Sequence, residues 1–203
     1  MELIIASHNE NKILEFKKKL GKKFFLKSLS DIGFKDHIPE NENTIEKNAI
    51  FKSNFIYKKY NCNVFSDDTG LEIEALNNEP GVRSARYSGE EKNSLKNIKL
   101  VLKKLKGISN RNARFKTVIS LIIDDKNYCF EGVVNGTIID KPIGDMGFGY
   151  DSIFVANNMN KTFAEISIDE KNKISHRAIE KLNNPTKKTL LMGFKSSQSK
   201  QSL

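Results

Sequence analysis

The chain has 203 residues, 38% of them hydrophobic and 29% charged, which is typical of a globular protein with one substantial core. Its formal charge of +9 comes mostly from lysines scattered along the chain, and no basic block alternates with aromatic residues as in a groove that binds single-stranded nucleic acid. No apolar run is long enough to span a bilayer, and no signal peptide is recognisable. The two isolated cysteines, Cys62 and Cys129, are typical of free thiols and not of a disulfide frame or a zinc site, so we expect a reducing, cytoplasmic location.

The first predicted unit is a short buried strand from Leu3 to Ala6, a polar loop, and a helix that ends near Gly21. In this geometry the N–H groups of the loop and of the helix N-terminus face an anion. Ser7 and Asn9 can add side-chain donors. Because Ser and Asn are also ordinary helix caps, the loop by itself leaves both interpretations open.

A second strand is predicted around Phe25, followed by an amphipathic helix that begins near Thr44 and runs to about Tyr60. Two carboxylates, Glu40 and Glu42, stand just before this helix. A carboxylate at a helix entrance is most often a partner of the helix dipole. It can also supply a metal ligand.

The stretch from Val64 to Ile73 contains an acidic pair, Asp67 and Asp68, followed by a hydroxyl residue and Gly70. The pattern predicts a strand, a tight turn that holds the acidic pair, and a second strand. Adjacent carboxylates repel each other unless a cation lies nearby, and Mg²⁺ prefers carboxylate oxygens. The alternative is a turn in which one Asp accepts from backbone N–H groups and the other is solvated.

After a loop predicted at residues 77–81, apolar residues at helical spacing predict a helix from Leu95 to Leu105, with Gly107 as its C-cap. Two β-rich runs, 115–123 and 128–134, predict a long hairpin joined by residues 124–127.

The glycine-rich stretch 144–151 does not match a dinucleotide-binding fingerprint. It predicts either a loop that presents Phe148 for stacking on a purine, with Asp151 bonded to the ring edge, or a β-turn with Phe148 in the core. Ser167 begins a capping box, and a basic cluster that includes Lys171 follows. This cluster is either a ligand-binding face or a solvated helix end.

Five stretches, spread over nearly the whole chain, carry a family resemblance: the Ser-x-Asn-x-x-Lys loop at 7–12, Ser-Asp-Asp-Thr-Gly-Leu at 66–71, Pro-Gly-Val-Arg-Ser-Ala-Arg-Tyr-Ser-Gly at 80–89, Gly-Phe-Gly-Tyr-Asp at 147–151, and Ser-His-Arg at 175–177. Each is weak alone, but in this order they resemble the Ham1/RdgB family of inosine triphosphate pyrophosphatases. The resemblance implies Mg²⁺-dependent hydrolysis of dITP, ITP, XTP and dXTP to the monophosphate and pyrophosphate, which removes deaminated purines from the nucleotide pool. It also implies a homodimer.

The resemblance further implies residue roles. Asp68 would be the general base and a metal ligand, with Asp67 as a second acidic group, and Glu40 would be the upstream metal carboxylate, with Glu42 as its alternative. The substrate-binding residues would be Ser7, His8, Asn9, Glu10, Asn11, Lys12, Thr69, Phe148, Gly149, Tyr150, Asp151, Lys171, His176 and Arg177. His8 stands where many relatives have a small residue, and we expect it to crowd the phosphate loop.

The expected fold is a single α/β domain over residues 1–194, with a mixed, strongly twisted sheet in two lobes and a cleft between them. Residues 195–203 are expected to form a polar, disordered tail. Two alternatives to this function remain open. A Maf-type pyrophosphatase would act on pyrimidine or other modified nucleotides, and the 148–151 and 175–177 segments argue against it. A basic nucleic-acid-binding protein would have lost catalysis.

Overall fold

The computed structural model describes residues 1–20 and 24–175. Its α-helices are α1 (Glu10–Leu20), α2 (Ile45–Tyr60), α3 (Ser94–Lys104) and α4 (Ile168–Ile174). Its strands are β1 (Glu2–Ile5), β2 (Phe25–Ser28), β3 (Val64–Ile73), β4 (Glu79–Pro80), β5 (Asn112–Ile123), β6 (Lys126–Ile138) and β7 (Phe154–Ala156), and a 3-10 helix covers Gly81–Arg86.

The strands form one mixed sheet in the order β2-β1-β3-β5-β6-β7, with β4 paired to β3. β1 runs parallel to both β2 and β3, whereas β3, β5, β6 and β7 pair antiparallel in succession. The sheet curls into a half-barrel, and the predicted fold class, a mixed α/β domain with a twisted sheet, is confirmed.

The three largest apolar clusters of the described residues divide between the two lobes. In the first lobe, α1 covers one face of the sheet through Phe16, which packs with Leu3, Ile5 and Phe65. On the opposite face, Ile56 of α2 belongs to a second cluster, with Ile4, Leu29, Phe34, Val64 and Ile122. The second lobe has its own cluster of α3, β7 and the far halves of β3 and β5, with Leu71, Ile98, Phe115, Phe154 and Phe163.

Strand β3 belongs to both lobes, and the cleft opens along its edge. One edge of β3 pairs with β5 over its whole length. On the other edge, β1 pairs only with Val64 and Phe65, and β4 pairs only with Glu72 and Ile73. Between these two ladders, in the part of the chain that the structure describes, residues 66–71 have no strand neighbour on that edge, and this gap lies in the cleft.

The predicted turn at the acidic pair is wrong. Val64–Ile73 is one continuous strand, in which Asp67 and Asp68 pair with Ile119 and Val118 of β5. Gly70 is required for close packing instead of a turn, since a Cβ atom there would lie 2.4 Å from the carbonyl oxygen of Gly81.

The long hairpin is confirmed, and it extends beyond the predicted runs. β5 and β6 pair from Asn112↔Thr137 to Ile123↔Lys126. Its connection is only two residues, Asp124 and Asp125, and both have positive φ angles, as a two-residue turn of the type that matches strand twist requires.

Other elements agree in part. The helix α2 and the capping box of α4 are confirmed, whereas Leu95, which we expected on the buried face of α3, is 70% exposed. The predicted loop at 77–81 contains the short strand β4. The expected helix end near Gly21, the domain limit at 194, and the tail 195–203 lie outside the described residues. None of the helices in the described part of the chain combines the length and apolar character needed to cross a bilayer.

Candidate active site

A cavity of about 460 Å³ lies at the gap in the edge of β3. It is within the size range of sites for small-molecule ligands. Polar and charged residues from several parts of the described chain line it, together with Phe148 and Gly149: Ser7, His8, Asn9, Asn11 and Lys12; His37 and Glu40; Asn48 and Lys52; Asp68 and Thr69; Ser84, Arg86, Lys92, Ser94 and Asn97; and Tyr150 and Asp151. Most of the predicted site residues are therefore brought together.

The loop between β1 and α1 forms one wall. The Oγ of Ser7 accepts from the backbone N–H of Asn9, and the Oδ1 of Asn9 accepts from the backbone N–H of Lys12. Both side chains thus order the loop and the first turn of α1 while still lining the cavity. The His8 ring stacks on Phe34, and its Nε2 donates to the Asp36 carbonyl at 2.9 Å, so it braces the loop against the following segment.

The Asp68 carboxylate is buried at the cavity wall and is held from α2. The Nζ of Lys52 lies 3.3 Å from its Oδ1, and the Nδ2 of Asn48 donates to its Oδ2 at 3.4 Å. The same Lys52 ammonium donates to the Asp67 backbone carbonyl at 2.8 Å, on the unpaired edge of β3. Lys52 therefore occupies a position that a neighbouring strand would otherwise fill.

Glu40, not Glu42, lies on the cavity wall. Its Oε1 is 2.6 Å from the Lys52 ammonium, and its Oε2 is 3.8 Å from that of Lys92. The guanidinium of Arg86 donates to the Glu40 backbone carbonyl. Two lysines therefore hold the carboxylate of Glu40, and Arg86 holds its backbone.

The electrostatics of the two carboxylates differ. Burial raises the pKa of Asp68, and the ammonium groups of Lys52 and Lys12 offset this only in part. Burial acts in the same direction on Glu40, but the ammonium groups of Lys52, Lys12 and Lys92 together outweigh it, Lys52 most strongly, and lower the pKa of Glu40 to about 2. Burial acts to lower the pKa of Lys52, and the carboxylates of Asp68 and Glu40 outweigh it, so this pKa is raised. Lys52 stays charged.

The donor set fits a hard cation. Within residues 1–20 and 24–175, no group of three or more His, Cys, Asp and Glu side chains is placed to hold a metal ion. Mg²⁺, however, is commonly bound by one or two carboxylates together with substrate phosphate oxygens. Glu40 and Asp68 already converge on one positive charge, the Lys52 ammonium, so the two carboxylates can face a common cation.

Asp67 points to the opposite side of β3 from Asp68, because side chains alternate along a strand. Its carboxylate is 2.9 Å from the Nζ of Lys12 and accepts from the Oγ1 of Thr69 at 3.2 Å. Asp67 is only 2% exposed and is absent from the cavity lining, so it acts here as a partner that anchors Lys12.

The glycine-rich segment forms the wall on the side of the second lobe. Phe148 is half-buried and lines the cavity, which fits the stacking interpretation better than a place in the core. Tyr150 is buried, and its hydroxyl donates to the Ser84 carbonyl at 2.9 Å. This bond ties the glycine-rich segment to the 3-10 helix Gly81–Arg86.

Asp151 and Lys171 form a buried ionic cluster with Glu15. The Lys171 ammonium lies 2.5 Å from Asp151 Oδ2 and 2.9 Å from Glu15 Oε1, and its side chain is 2% exposed. Asp151 also accepts from the Phe148 backbone N–H at 2.8 Å. A Cβ at Gly147 would lie 2.3 Å from this carboxylate. Burial raises the pKa of Asp151, and Lys171 opposes the rise.

Two expected ligands are therefore placed apart from the cavity: Lys171 is enclosed between α1, α4 and the glycine-rich segment, and Glu10 is absent from the lining. Their predicted binding roles stay predictions. His176 and Arg177 lie outside the described residues.

The sequence reasoning missed Lys52, Asn48 and Arg86. A signal for the first two was present, since they stand four residues apart on the same helical face as buried Ala49 and Ile56. Polar residues inside an apolar stripe are costly unless they are paired. Nothing in the sequence identified what they pair with.

Comparison with known proteins agrees with this geometry. A model of the Ham1 family matches residues 3–184. The chain is 51% identical over 177 residues to a dITP/XTP pyrophosphatase of Flavobacterium psychrophilum, a match that covers 87% of this chain and 93% of that protein. It is 47% identical over 181 residues to a dITP/XTP pyrophosphatase of Bacillus subtilis, covering 87% and 91%.

Solved structures show the same architecture. The Ham1 protein of Staphylococcus aureus superposes with a TM-score of 0.80 at 39% identity, covering 98% of this chain and 100% of that one. A dITP/XTP pyrophosphatase of Mycobacterium abscessus superposes with a TM-score of 0.73 at 34% identity, covering 90% and 99%.

Proposed function

The chain belongs to the Ham1 family, and we propose that it hydrolyses the triphosphates of deaminated purines, dITP, ITP, XTP and dXTP, to the monophosphate and pyrophosphate. Its relatives are named as dITP/XTP pyrophosphatases, which supports this substrate class. The observation that carries the proposal is the position of Asp68, a buried carboxylate aimed into a cleft whose opposite walls hold cationic and aromatic side chains.

Asp68 has the properties of a general base. Its pKa is raised by burial, which makes its carboxylate a better proton acceptor than a solvated one. Lys52 and Asn48 fix its two oxygens, so the carboxylate is oriented before substrate arrives. In the proposed reaction Asp68 takes a proton from water as the water attacks the α phosphorus, and the bond to the β-phosphate breaks.

The cationic groups of the cleft suit a polyphosphate. Lys12 comes from the loop wall, Lys52 from α2, and Arg86 from the 3-10 helix. Their charges would bind the triphosphate and stabilise the negative charge that develops on the leaving pyrophosphate. Lys12 and Lys52 are each paired with a carboxylate, which holds them in place for this task.

We include Mg²⁺ in the proposal, held by Glu40 and Asp68. When bound, such a cation neutralises phosphate charge and polarises the reacting phosphorus–oxygen bonds. The chain's own residues still do the positioning: Lys52 separates the two carboxylates, and Asn48 keeps Asp68 turned towards the cavity.

Base recognition is assigned to the glycine-rich segment. Phe148 offers an aromatic face, and the cavity wall continues through Gly149 and Tyr150. The oxygen at position 6 of a 6-oxo purine only accepts hydrogen bonds, whereas adenine has an amino donor at the same position. A pocket of donors therefore leaves adenine with an unpaired buried group, which is a costly mismatch.

The remaining parts of the proposal come from the resemblance. They are a homodimer, a cytoplasmic location and a catalytic domain that extends to residue 194.

The experiment is pyrophosphate release with Mg²⁺ from dITP, XTP, dATP, dGTP and dTTP, in parallel for the wild type and Asp68→Asn. We expect release from dITP and XTP only, with the rate in Asp68→Asn lowered by about 10² to 10⁴ because the general base is lost. The variant should keep the circular dichroism spectrum of the wild type.

Two results would change the assignment. Preferential release from dTTP would favour the Maf-type alternative. No release from any nucleotide, together with salt-sensitive DNA binding that Asp68→Asn leaves unchanged, would favour the nucleic-acid-binding alternative.

A further inference from the structure

The loop that leads into α3 places a lysine on the cavity wall in an unusual backbone conformation. Lys92 has a φ of 53°, in the left-handed region. Seven described non-glycine residues have a positive φ, and the other six are Asn or Asp: Asn61, Asn77, Asn78, Asp124, Asp125 and Asn158. Asn and Asp tolerate this region better than a long side chain does. A lysine at this position lowers the stability of the protein relative to an asparagine. The presence of a lysine therefore points to a role for its side chain.

The direction of the side chain supplies one. Lys92 lines the cavity, and its ammonium faces the Oε2 atom of Glu40. The neighbouring Glu91 behaves differently, because it pairs with Lys96 of α3 at 2.6 Å and both side chains are exposed. The left-handed residue thus turns one lysine into the cleft while α3 begins normally from Asn93, whose side chain accepts from the Lys96 N–H.

Three lysines of the described residues line the cavity, and they are held to different degrees. Lys52 is 6% exposed and lies within 3.3 Å of three oxygen atoms, and Lys12 is 13% exposed with a 2.9 Å ion pair to Asp67. Lys92 is 43% exposed, and its ion pair with Glu40 is 3.8 Å long. A loose, accessible ion pair of this kind contributes little. Of these three ammonium groups, that of Lys92 can therefore move to a new anion at the lowest cost.

We propose that Lys92 binds the pyrophosphate part of the substrate and the pyrophosphate product. This inference rests on the proposed function, because it assigns the β- and γ-phosphates of a nucleoside triphosphate to this wall of the cleft. Pyrophosphate carries more negative charge than one carboxylate and offers more acceptor oxygens, so the ammonium gains contacts when it leaves Glu40. Arg86, on the same wall, provides a second cation nearby.

The test compares Lys92→Gln, Lys92→Arg and the control Lys96→Gln. Gln keeps a straight side chain of similar length, so the backbone cost at position 92 changes little. Three quantities are measured with dITP as substrate: KM and kcat, the inhibition constant of inorganic pyrophosphate, and that of dIMP. Binding of inorganic pyrophosphate alone is also measured by calorimetry, with and without Mg²⁺.

We expect Lys92→Gln to raise KM and the pyrophosphate inhibition constant about tenfold, because one charge-assisted contact is lost. The dIMP inhibition constant and the melting temperature should stay at the wild-type values, and Lys92→Arg should restore pyrophosphate binding. Lys96→Gln should stay within about twofold of the wild type in every measurement.

Other outcomes overturn the proposal. Equal pyrophosphate affinity in the wild type and Lys92→Gln means that Lys92 does not contact the product. Equal weakening of pyrophosphate and dIMP binding means that the substitution acts through the structure of the cleft. If the wild type releases no pyrophosphate from dITP, the proposed function fails, and the calorimetric comparison still decides whether Lys92 binds pyrophosphate.

Discussion

The strongest prediction concerns Lys52→Met in metal-free buffer. Lys52 is buried, and its ammonium lies among Glu40, the Asp68 carboxylate and the Asp67 carbonyl. Methionine fills a similar volume without the charge. The variant therefore keeps the packing of α2 but leaves the buried Asp68 carboxylate and the half-buried Glu40 carboxylate without their shared cation, and one backbone carbonyl without its donor.

The magnitude follows from Glu40. Its pKa is about 2 in the folded protein against an ordinary value of 4.5, and at 1.36 kcal/mol per pKa unit this corresponds to about 3 kcal/mol of stability, to which Lys52 contributes more than Lys12 or Lys92. Because the folded-state pKa is the lower one, this contribution is complete above about pH 4.5 and is lost as the pH falls towards 2. The contribution of Asp68 to stability has the opposite sign, since its raised pKa disfavours the folded state at neutral pH. Removing Lys52 increases this unfavourable contribution.

We expect Lys52→Met to lower the free energy of unfolding by about 3 to 5 kcal/mol at pH 7, as is usual when one partner of a buried ion pair is removed. The deficit relative to the wild type should shrink to about 1.5 kcal/mol near pH 3, where Glu40 in the variant is protonated. Urea denaturation with a chelator present measures both values.

The matched control is Lys58→Met, an exposed lysine on the same helix, which should change stability by less than about 0.5 kcal/mol. A deficit of less than about 1 kcal/mol at pH 7 would refute the claim that Lys52 neutralises the site. A deficit of equal size at both pH values would show that the loss comes from packing and not from the charge of Lys52.

Two further predictions concern buried positions next to the cleft. Gly70→Ala should lose about 3 kcal/mol in urea denaturation, because its Cβ would meet the Gly81 carbonyl at 2.4 Å and neither backbone can move away easily; wild-type stability would contradict the close approach. Lys171→Met should lose about 3 to 5 kcal/mol, because Glu15 and Asp151 would remain buried without their cation, while Lys173→Met on the exposed face of α4 should not. A Lys171→Met variant that folds as stably as the wild type but has a raised KM for dITP would instead support the phosphate-binding role.

Local patterns predicted those elements whose signals lie within a few residues. The hairpin of β5 and β6 has alternating β-formers on both sides of a two-residue Asp-Asp turn. Helix α2 begins at a Thr cap whose side chain accepts from Lys47, and this too is visible in the sequence. For the loop at Ser7 and the wall at Phe148, local patterns left two interpretations open, and the family resemblance supplied the expected binding roles.

The acidic stretch was misread because Gly70 has two possible meanings. In a local reading, Asp-Asp-Thr-Gly is typical of a turn. In the structure, glycine is needed because the 3-10 helix at Gly81 packs directly against β3, which is a contact between segments 11 residues apart. Local composition cannot distinguish a glycine that bends the chain from one that admits a neighbour.

Lys52 was missed for a related reason. A lysine on the apolar face of α2 can extend to solvent or be buried against a charge, and the choice depends on Glu40 and Asp68, which lie on other segments. The same holds for Arg86, whose partner is a backbone carbonyl 46 residues away. Pairings of this kind depend on the tertiary fold.

The gap in the edge of β3 links stability to function. A strand edge inside a protein must find donors and acceptors, and here side chains supply them: Lys52 donates to the Asp67 carbonyl, and the Ser84 hydroxyl accepts from the Leu71 N–H. Lys52 is also the group that holds Asp68. Substitutions at Lys52 must therefore damage folding and catalysis together, whereas Lys92, which completes no part of the sheet, should affect binding alone. The two lysines line one cavity, yet their variants should separate completely in a plot of stability against pyrophosphate affinity.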